Sequence, residues 1–353
     1  MDDLQHLEPV LDVDGLDEKE MANFDVEQTD KPIDDKALHR LRQDFEKDLS
    51  AAGIDLEGKL AVDAYIDLFD KLPESTPYND VPSAVEDMGN AIVALGGEQA
   101  LDVYHRLVLL QLIGRFEQRA ARYRLPRWLE GRTRAYFHAI INDVQKTKPR
   151  RFLLKHDGFL QDLGVCRIKL WPCGVELVET GCSLNLRWLL QKKDVAQSVR
   201  ALIHIGFSVR GTAPVLASHF DKRRPQEFSP EGYLELYLNI ARLLRAMPDH
   251  LGLLSSSWWH DPAVGQMSPQ LAFLNELPMS GGARIYRIGT DETAVSKALC
   301  LSRERTEAYR NGTYHPAFYH LIWSRKSLLG WAGDQMPISP RYVRRMEGER
   351  GPA

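Results

Sequence analysis

The sequence is short of the features that mark the commonest protein classes. Its 353 residues include four cysteines, widely spaced and without a Cys-x-x-Cys. That spacing argues against a disulfide framework and against a compact zinc knuckle. Cys166, Cys173 and Cys182 therefore read as small buried hydrophobes. No apolar run approaches the ~18 residues of a membrane helix, and the acidic N-terminus lacks the basic segment and apolar core of a secretory signal. A cytoplasmic location without membrane association is the expectation. Gly-x-x-x-x-Gly-Lys-Ser/Thr, a Gly-x-Gly-x-x-Gly after a strand, Gly-x-Ser-x-Gly and His-Glu-x-x-His are all missing. Their absence disfavours P-loop enzymes, Rossmann dehydrogenases, typical α/β hydrolases and zincins. There is no dense Lys/Arg stripe, so nucleic acid is not an expected partner.

What is present is unevenly charged. The net charge of −4 conceals thirteen carboxylates against two lysines in residues 1–35. Such a segment cannot offset its ordering entropy and reads as a mobile acidic leader, solubilising or docked on a basic face. Residues 36–148 read as a helical lobe. Leu41, Phe45 and Leu49 follow a helical spacing, Pro73–Pro82 is a turn-rich linker, and Ser83 with Glu86 suggests a capping box. Gly96-Gly97 should end that helix, and apolar helices follow over 99–122 and 130–144.

Residues 149–333 change texture. The pattern predicts a hairpin from Arg167–Leu170 and Val175–Val178 around a Trp171–Gly174 turn, then a helix over Trp188–Gly206. A strand over Val209–Ser218 carries Pro214 at an edge or bulge. Ser229-Pro230-Glu231 opens a helix to Met247. Leu251–Ser256 is a strand, a helix starts at Ser268-Pro269, and Ala283–Ile288 is a strand. Helices over 291–301 and 302–310 and a closing strand over 314–323 complete the domain. Residues 334–353 read as a loose tail. The fold class is α/β (α+β), with a helical N-terminal lobe packed on a mixed-sheet C-terminal domain.

Three groups of residues suggest chemistry. Trp258-Trp259-His260-Asp261 follows a buried strand, where open α/β sheets place ligands. His260 is the candidate general base and Asp261 its orienter, with Trp258 and Trp259 lining a pocket; the competing reading is a packed loop. His219, Asp221 and Arg223 follow another strand and precede a helix start, a plausible anion site, or a solvated basic loop. Arg303 and Arg305 with Tyr309, Tyr314, His315 and His320 form the third. Arg303 is a candidate ligand to an anionic group, although sheet packing explains the aromatic members as well. A metal held by His219, His260, Asp221 and Asp261 would require their strand ends to converge.

The order of elements from Val175 onwards resembles the GNAT acyltransferase superfamily. The matching pieces are the Thr212–Ser218 strand, the Glu231–Met247 helix, the Leu251–Ser256 strand, the Leu271–Leu277 helix and the strands at 283–288 and 314–323. The superfamily's Arg/Gln-x-x-Gly-x-Gly/Ala loop is absent; Asp221–Phe228, rich in Lys and Arg, stands in its place. The resemblance implies a GNAT-like sheet, an acyl-coenzyme A donor and acyl transfer to an amine or hydroxyl of a small metabolite. His260 and Asp261 would be catalytic, and Trp258, Trp259, His219, Asp221, Arg223 and Arg303 would bind substrate or donor. Two other readings stay open: a non-catalytic interaction or regulatory protein with an acyltransferase-like sheet, and a metal-dependent oxygenase or hydrolase. A second copy or a protein partner would dock through the helical lobe.

Overall fold

The computed structural model describes residues 32–123, 125–146, 152–190, 194–300 and 302–335. Most of the predicted acidic leader and C-terminal tail lies outside them. Five helices come first: α1 (Asp35–Ala51), α2 (Val62–Asp70), α3 (Ser83–Gly114), α4 (Phe116–Tyr123) and α5 (Arg127–Gln145). α6 (Asp157–Cys166) leads into a hairpin of β1 (Leu170–Pro172) and β2 (Glu176–Cys182). Then come α7 (Arg187–Leu190), α8 (Val195–Ile203), β3 (Val215–Phe220), α9 (Pro230–Ala246) and β4 (Gly252–Ser257). α10 (Pro262–Met267), α11 (Phe273–Ser280), β5 (Arg284–Gly289), α12 (Glu292–Leu299), α13 (Arg303–Arg310), β6 (Phe318–Ser324) and α14 (Arg325–Gln335) follow. The six strands form one mixed sheet ordered β1-β2-β3-β4-β6-β5, as the α/β (α+β) reading requires. Only β3 and β4 run parallel among the described pairs.

Alternation along the strands divides the inner sheet between two apolar layers. Leu216, Leu253, Leu321 and Trp323 enter a large core that also contains the buried faces of α3, α5, α6 and α9. Val215, Leu254 and Ile322 enter a smaller cluster under α7 and α8. α9 shows why the sequence was readable here. Ser229 Oγ accepts the Gly232 N–H at 3.1 Å, Pro230 occupies the first turn, and Tyr233, Leu236, Tyr237, Ile240 and Leu244 form one buried stripe. Arg325 ends the helix by donating to the carbonyls of Leu244 and Met247.

Several expected details differ. The first turn of α3 starts at Pro82, and Ser83 makes no cap hydrogen bond. The break expected at Gly96-Gly97 is there: at Gly97 the backbone leaves helical geometry (φ 77°, ψ −178°), so α3 is two helical segments meeting at that glycine. Trp171 and Pro172 belong to β1 rather than to a turn; the turn is Cys173–Val175, and Arg167 caps the unforeseen helix α6. The helix predicted to stop at Gly206 continues as a π-helical turn to Val209 and closes on Arg210 in the left-handed region. β3 is an interior strand, and Pro214 lies just before it, next to the register shift between Glu179 and Cys182 of β2, which pair with Ala217 and Val215. The chain after β6 forms α14, whose Leu328, Trp331 and Ala332 are buried, where the sequence pattern announces no helix.

An ion cluster ties the helical lobe to the sheet. Arg223, just past β3, forks onto Asp162 of α6 (Nε–Oδ1 2.7 Å, Nη2–Oδ2 2.5 Å) and also pairs with Asp143 of α5. Its guanidinium lies over the Tyr136 ring, 5.5 Å from the centroid. Asp162 is 2% exposed, so removing its cation leaves a buried carboxylate uncompensated. Arg223→Met should therefore lower unfolding free energy by about 3–5 kcal/mol. Urea denaturation of the variant beside wild type measures this, and an unchanged midpoint would show that the cluster contributes nothing net.

Candidate active site at the opening between β3 and β4

The parallel ladder between β3 and β4 consists of Leu216↔Leu253, Ala217↔Leu254 and Ser218↔Ser255. Beyond that point β3 stays paired with β2 through Phe220, and β4 stays paired with β6 through Ser257. Each strand is held by its outer neighbour, so the sheet parts at Ser218 and Ser255. The chain leaves β4 into a short 3₁₀ turn, Trp258–His260, and Asp261 starts α10. Loops that follow adjacent parallel strands enclose a crevice of this kind.

His260 lies at this opening and is 1% exposed. Its Nε2 meets Ser255 Oγ at 3.0 Å and its Nδ1 meets Asn275 Oδ1 at 2.9 Å. Asn275 Nδ2 donates to the Trp259 carbonyl at 3.4 Å, which directs its oxygen toward the imidazole. An amide oxygen can only accept, so Nδ1 carries the proton and Nε2 is left to accept from the serine hydroxyl. Burial pushes the imidazole down to about 4, with the Asn275 bond acting weakly in the opposite sense. The ring is therefore neutral near pH 7, with Nε2 unprotonated.

Asp261 is not the partner of that imidazole. Its carboxylate accepts the Ala263 N–H at 3.0 Å, capping α10. Burial raises its pKa against the pull of that bond, of Arg287 and of the Tyr319 hydroxyl. Neighbouring residues in a turn diverge, so adjacency in sequence did not bring the Asp261 carboxylate to the ring. Asn275 takes that place from α11.

The two tryptophans divide between different neighbours. Trp259 packs edge-on against Phe220 and Phe228, with ring centroids 6.0 and 6.1 Å away, and Phe228 in turn meets Phe273 at 6.0 Å. This aromatic group covers one side of the opening. Trp258 lies under Arg305, whose Cζ is 4.9 Å from the ring centroid. Arg305 itself is fixed by Ala298 O at 2.6 Å and Ser268 Oγ at 2.7 Å.

The other expected ligands lie elsewhere. His219 and Ser218 are successive residues of β3 and face opposite sides, which separates His219 from the Ser255 row. His219 Nε2 meets Glu179 Oε2 at 3.0 Å, and Glu179 also accepts the Tyr78 N–H at 2.7 Å and faces Lys169 at 3.5 Å. Asp221 is fully buried, accepting the Arg223 N–H at 2.9 Å. Burial pushes its carboxyl up to about 6 despite Arg224. Arg223 is committed to Asp162 and Asp143. Arg303, with 92% of its side chain exposed, pairs with Glu307 on its own helix. Charged side chains find the nearest opposite charge the fold supplies, and the sequence does not show which that is.

The region before α9 does not fit a pyrophosphate. A Cβ on Gly232 would overlap the Glu227 carbonyl oxygen, so the preceding loop folds over the helix N-terminus. Arg224 there bonds Glu227 at 3.1 Å. With a carbonyl oxygen facing the first turn, anion capture at that terminus is blocked.

Sequence reasoning missed Ser255 and Asn275. The signals were small: Ser255 is one of three consecutive serines ending an apolar strand, and Asn275 interrupts the apolar run LAFLNELP. On the opposite face of β4, exposed Ser256 meets His320 Nδ1 at 2.7 Å across the β4–β6 pair. Among the described residues, no group of three or more His, Cys, Asp or Glu could hold a metal ion, and no helix is long and apolar enough to cross a membrane.

The depressed imidazole makes stability depend on pH. Between 6.5 and about 4 the unfolded chain binds a proton at residue 260 that the folded chain refuses, so stability falls as pH falls through that window. The loss reaches about 3 kcal/mol, at roughly 1.4 kcal/mol for each tenfold difference in proton affinity. Asp221, with its folded pKa raised from 3.8 to about 6, acts in the opposite sense below pH 6. Asp221 is common to wild type and His260→Gln, so the difference between their stability–pH curves isolates His260. The variant should lose less stability between pH 7 and 4; parallel curves would mean that the imidazole ionises freely.

No protein-family model and no curated protein matches this sequence. Among solved structures, an acyltransferase in complex with decanoyl-CoA and teicoplanin is similar, with a TM-score of 0.40 and 15% identity over 81% of this chain and 99% of that one.

Proposed function

We propose that this protein is an acyltransferase that transfers an acyl group to an amine or hydroxyl of a small metabolite. The observation that carries the reading is the Ser255–His260–Asn275 hydrogen-bonded chain at the point where β3 and β4 part. Attack by an amine or hydroxyl on an acyl carbon needs a base to take its proton. In this reading the acceptor's proton passes to Ser255 Oγ as the Ser255 proton moves to His260 Nε2. Asn275 holds the tautomer and orients the ring. Trp259 and the phenylalanines around it keep water from one side, which strengthens each polar contact in the opening.

The order of strands, with one parallel pair inside an antiparallel sheet, adds a GNAT-like topology to that reading. Fold alone does not assign chemistry. The acyl-coenzyme A donor implied by the resemblance finds no pyrophosphate cradle before α9.

The test is turnover of acyl thioester, read as thiol release from acetyl-coenzyme A with a panel of amine and hydroxyl acceptors. His260→Ala and Ser255→Ala should each lower turnover ~10²-fold or more, and Asn275→Ala ~10-fold. Circular dichroism checks that each variant is folded. Full turnover in folded His260→Ala would remove the imidazole from the mechanism. Loss only in Ser256→Ala and His320→Ala would move the base to the other face of β4.

A further inference from the structure

At the opposite end of β4, away from His260, is a cavity of about 1000 Å³. Its walls come from α8 and the π-helical turn, the residue preceding β4, the start of β5, and the junction of β6 with α14. Five cationic side chains line it: Arg200, Arg210, Arg284, Arg325 and Lys326. No Asp or Glu lines it, and Asp249, adjoining His250 in sequence, is not part of the wall. Arg325 is held by the backbone at the end of α9. The other four make no ion pair with a carboxylate of the described residues, whereas Arg106, Arg119, Arg134 and Arg223 all do.

Two histidines with unpartnered ring nitrogens border the cavity, although those nitrogens themselves are covered by protein. His204 and His250 line it and are 9% and 8% exposed, and the Nδ1 atom of each is buried with no hydrogen-bond partner. Tyr286 and the outward Phe207 and Ile203 provide apolar surface beside the charges. Concentrated positive charge against low-dielectric walls attracts anions strongly, and guanidinium forks match phosphate oxygens.

We propose that this cavity binds a small molecule carrying two or more phosphate groups, at a site separate from the opening at His260. Its volume suits a ligand of nucleotide size. The phosphates meet Arg200, Arg210, Arg284 and Lys326, and an apolar or planar part rests on Tyr286 and Phe207.

Calorimetric titration of the full chain with inorganic pyrophosphate and, separately, with coenzyme A tests this. At least one probe should bind wild type. Arg200→Gln/Arg284→Gln, both at exposed positions that folding tolerates, should weaken that binding about 30-fold or more, since each charged contact is worth roughly a factor of ten. Lys47→Gln/Arg310→Gln removes the same charge far from the cavity and should leave binding within about twofold. Binding of pyrophosphate shows that phosphate chemistry suffices; binding of coenzyme A alone shows that the apolar body is also needed. Absence of binding by both probes, or equal weakening by the two double variants, overturns the proposal. Neither outcome depends on whether His260 takes part in acyl transfer.

Discussion

The arrangement depends on a parallel pairing that lasts three residues. β3 and β4 are joined by the crossover through α9, so they run the same way, while every other described neighbour runs antiparallel. A parallel pair inside such a sheet competes with the antiparallel ladders on either side. Here the outer ladders continue to Phe220 and Ser257 after the inner one stops at Ser218 and Ser255. Polar side chains that would otherwise lie inside a continuous sheet then face a gap. His260 reaches Ser255 there, and Asn275 reaches His260 from a helix fifteen residues further on.

Charge is distributed by the same logic of burial. The carboxylates of Asp162, Glu179 and Asp221 are sealed inside, each beside a cation or an N–H donor. These contacts hold the helical lobe against β1, β2 and the end of β3. At the other end of β4, Arg200, Arg210, Arg284 and Lys326, which make no ion pair with a carboxylate of the described residues, line the cavity. The two ends of the sheet thus differ in kind. One end has a neutral hydrogen-bonded chain under aromatic cover, and the other has unneutralised guanidinium groups.

Asp261 and Arg223 illustrate how local signals mislead about roles. Both stand at strand ends, the usual place for ligands. Yet each is already engaged by a nearer partner, since Asp261 caps α10 and Arg223 neutralises Asp162. A capping bond and a buried ion pair are both short-range and strong, so they claim side chains before any substrate arrives. The residues that bond the His260 ring are a serine and an asparagine with no charge of their own.

Local chemistry was legible in the sequence wherever it acts within a few residues. Ser229-Pro230 marked the start of α9, the two-residue apolar alternation placed the five strands β2 to β6 in their order, and Trp258–Asp261 lay at the end of β4 as expected. Boundaries set by packing were not legible. α6 and α14 formed because neighbouring layers bury their faces, and β1 took in Trp171-Pro172 because β2 offered those residues a ladder. The sequence by itself determined α9 and the strands β2 to β6, the alternation of their faces and the position of His260 after β4. Only the tertiary structure decided that Asn275 rather than Asp261 meets its ring, and that Arg200 and Arg284 share a cavity while Arg223 is sealed. The physical reason is that hydrogen bonds and ion pairs act over a few ångströms in space, and distance along the chain does not measure that.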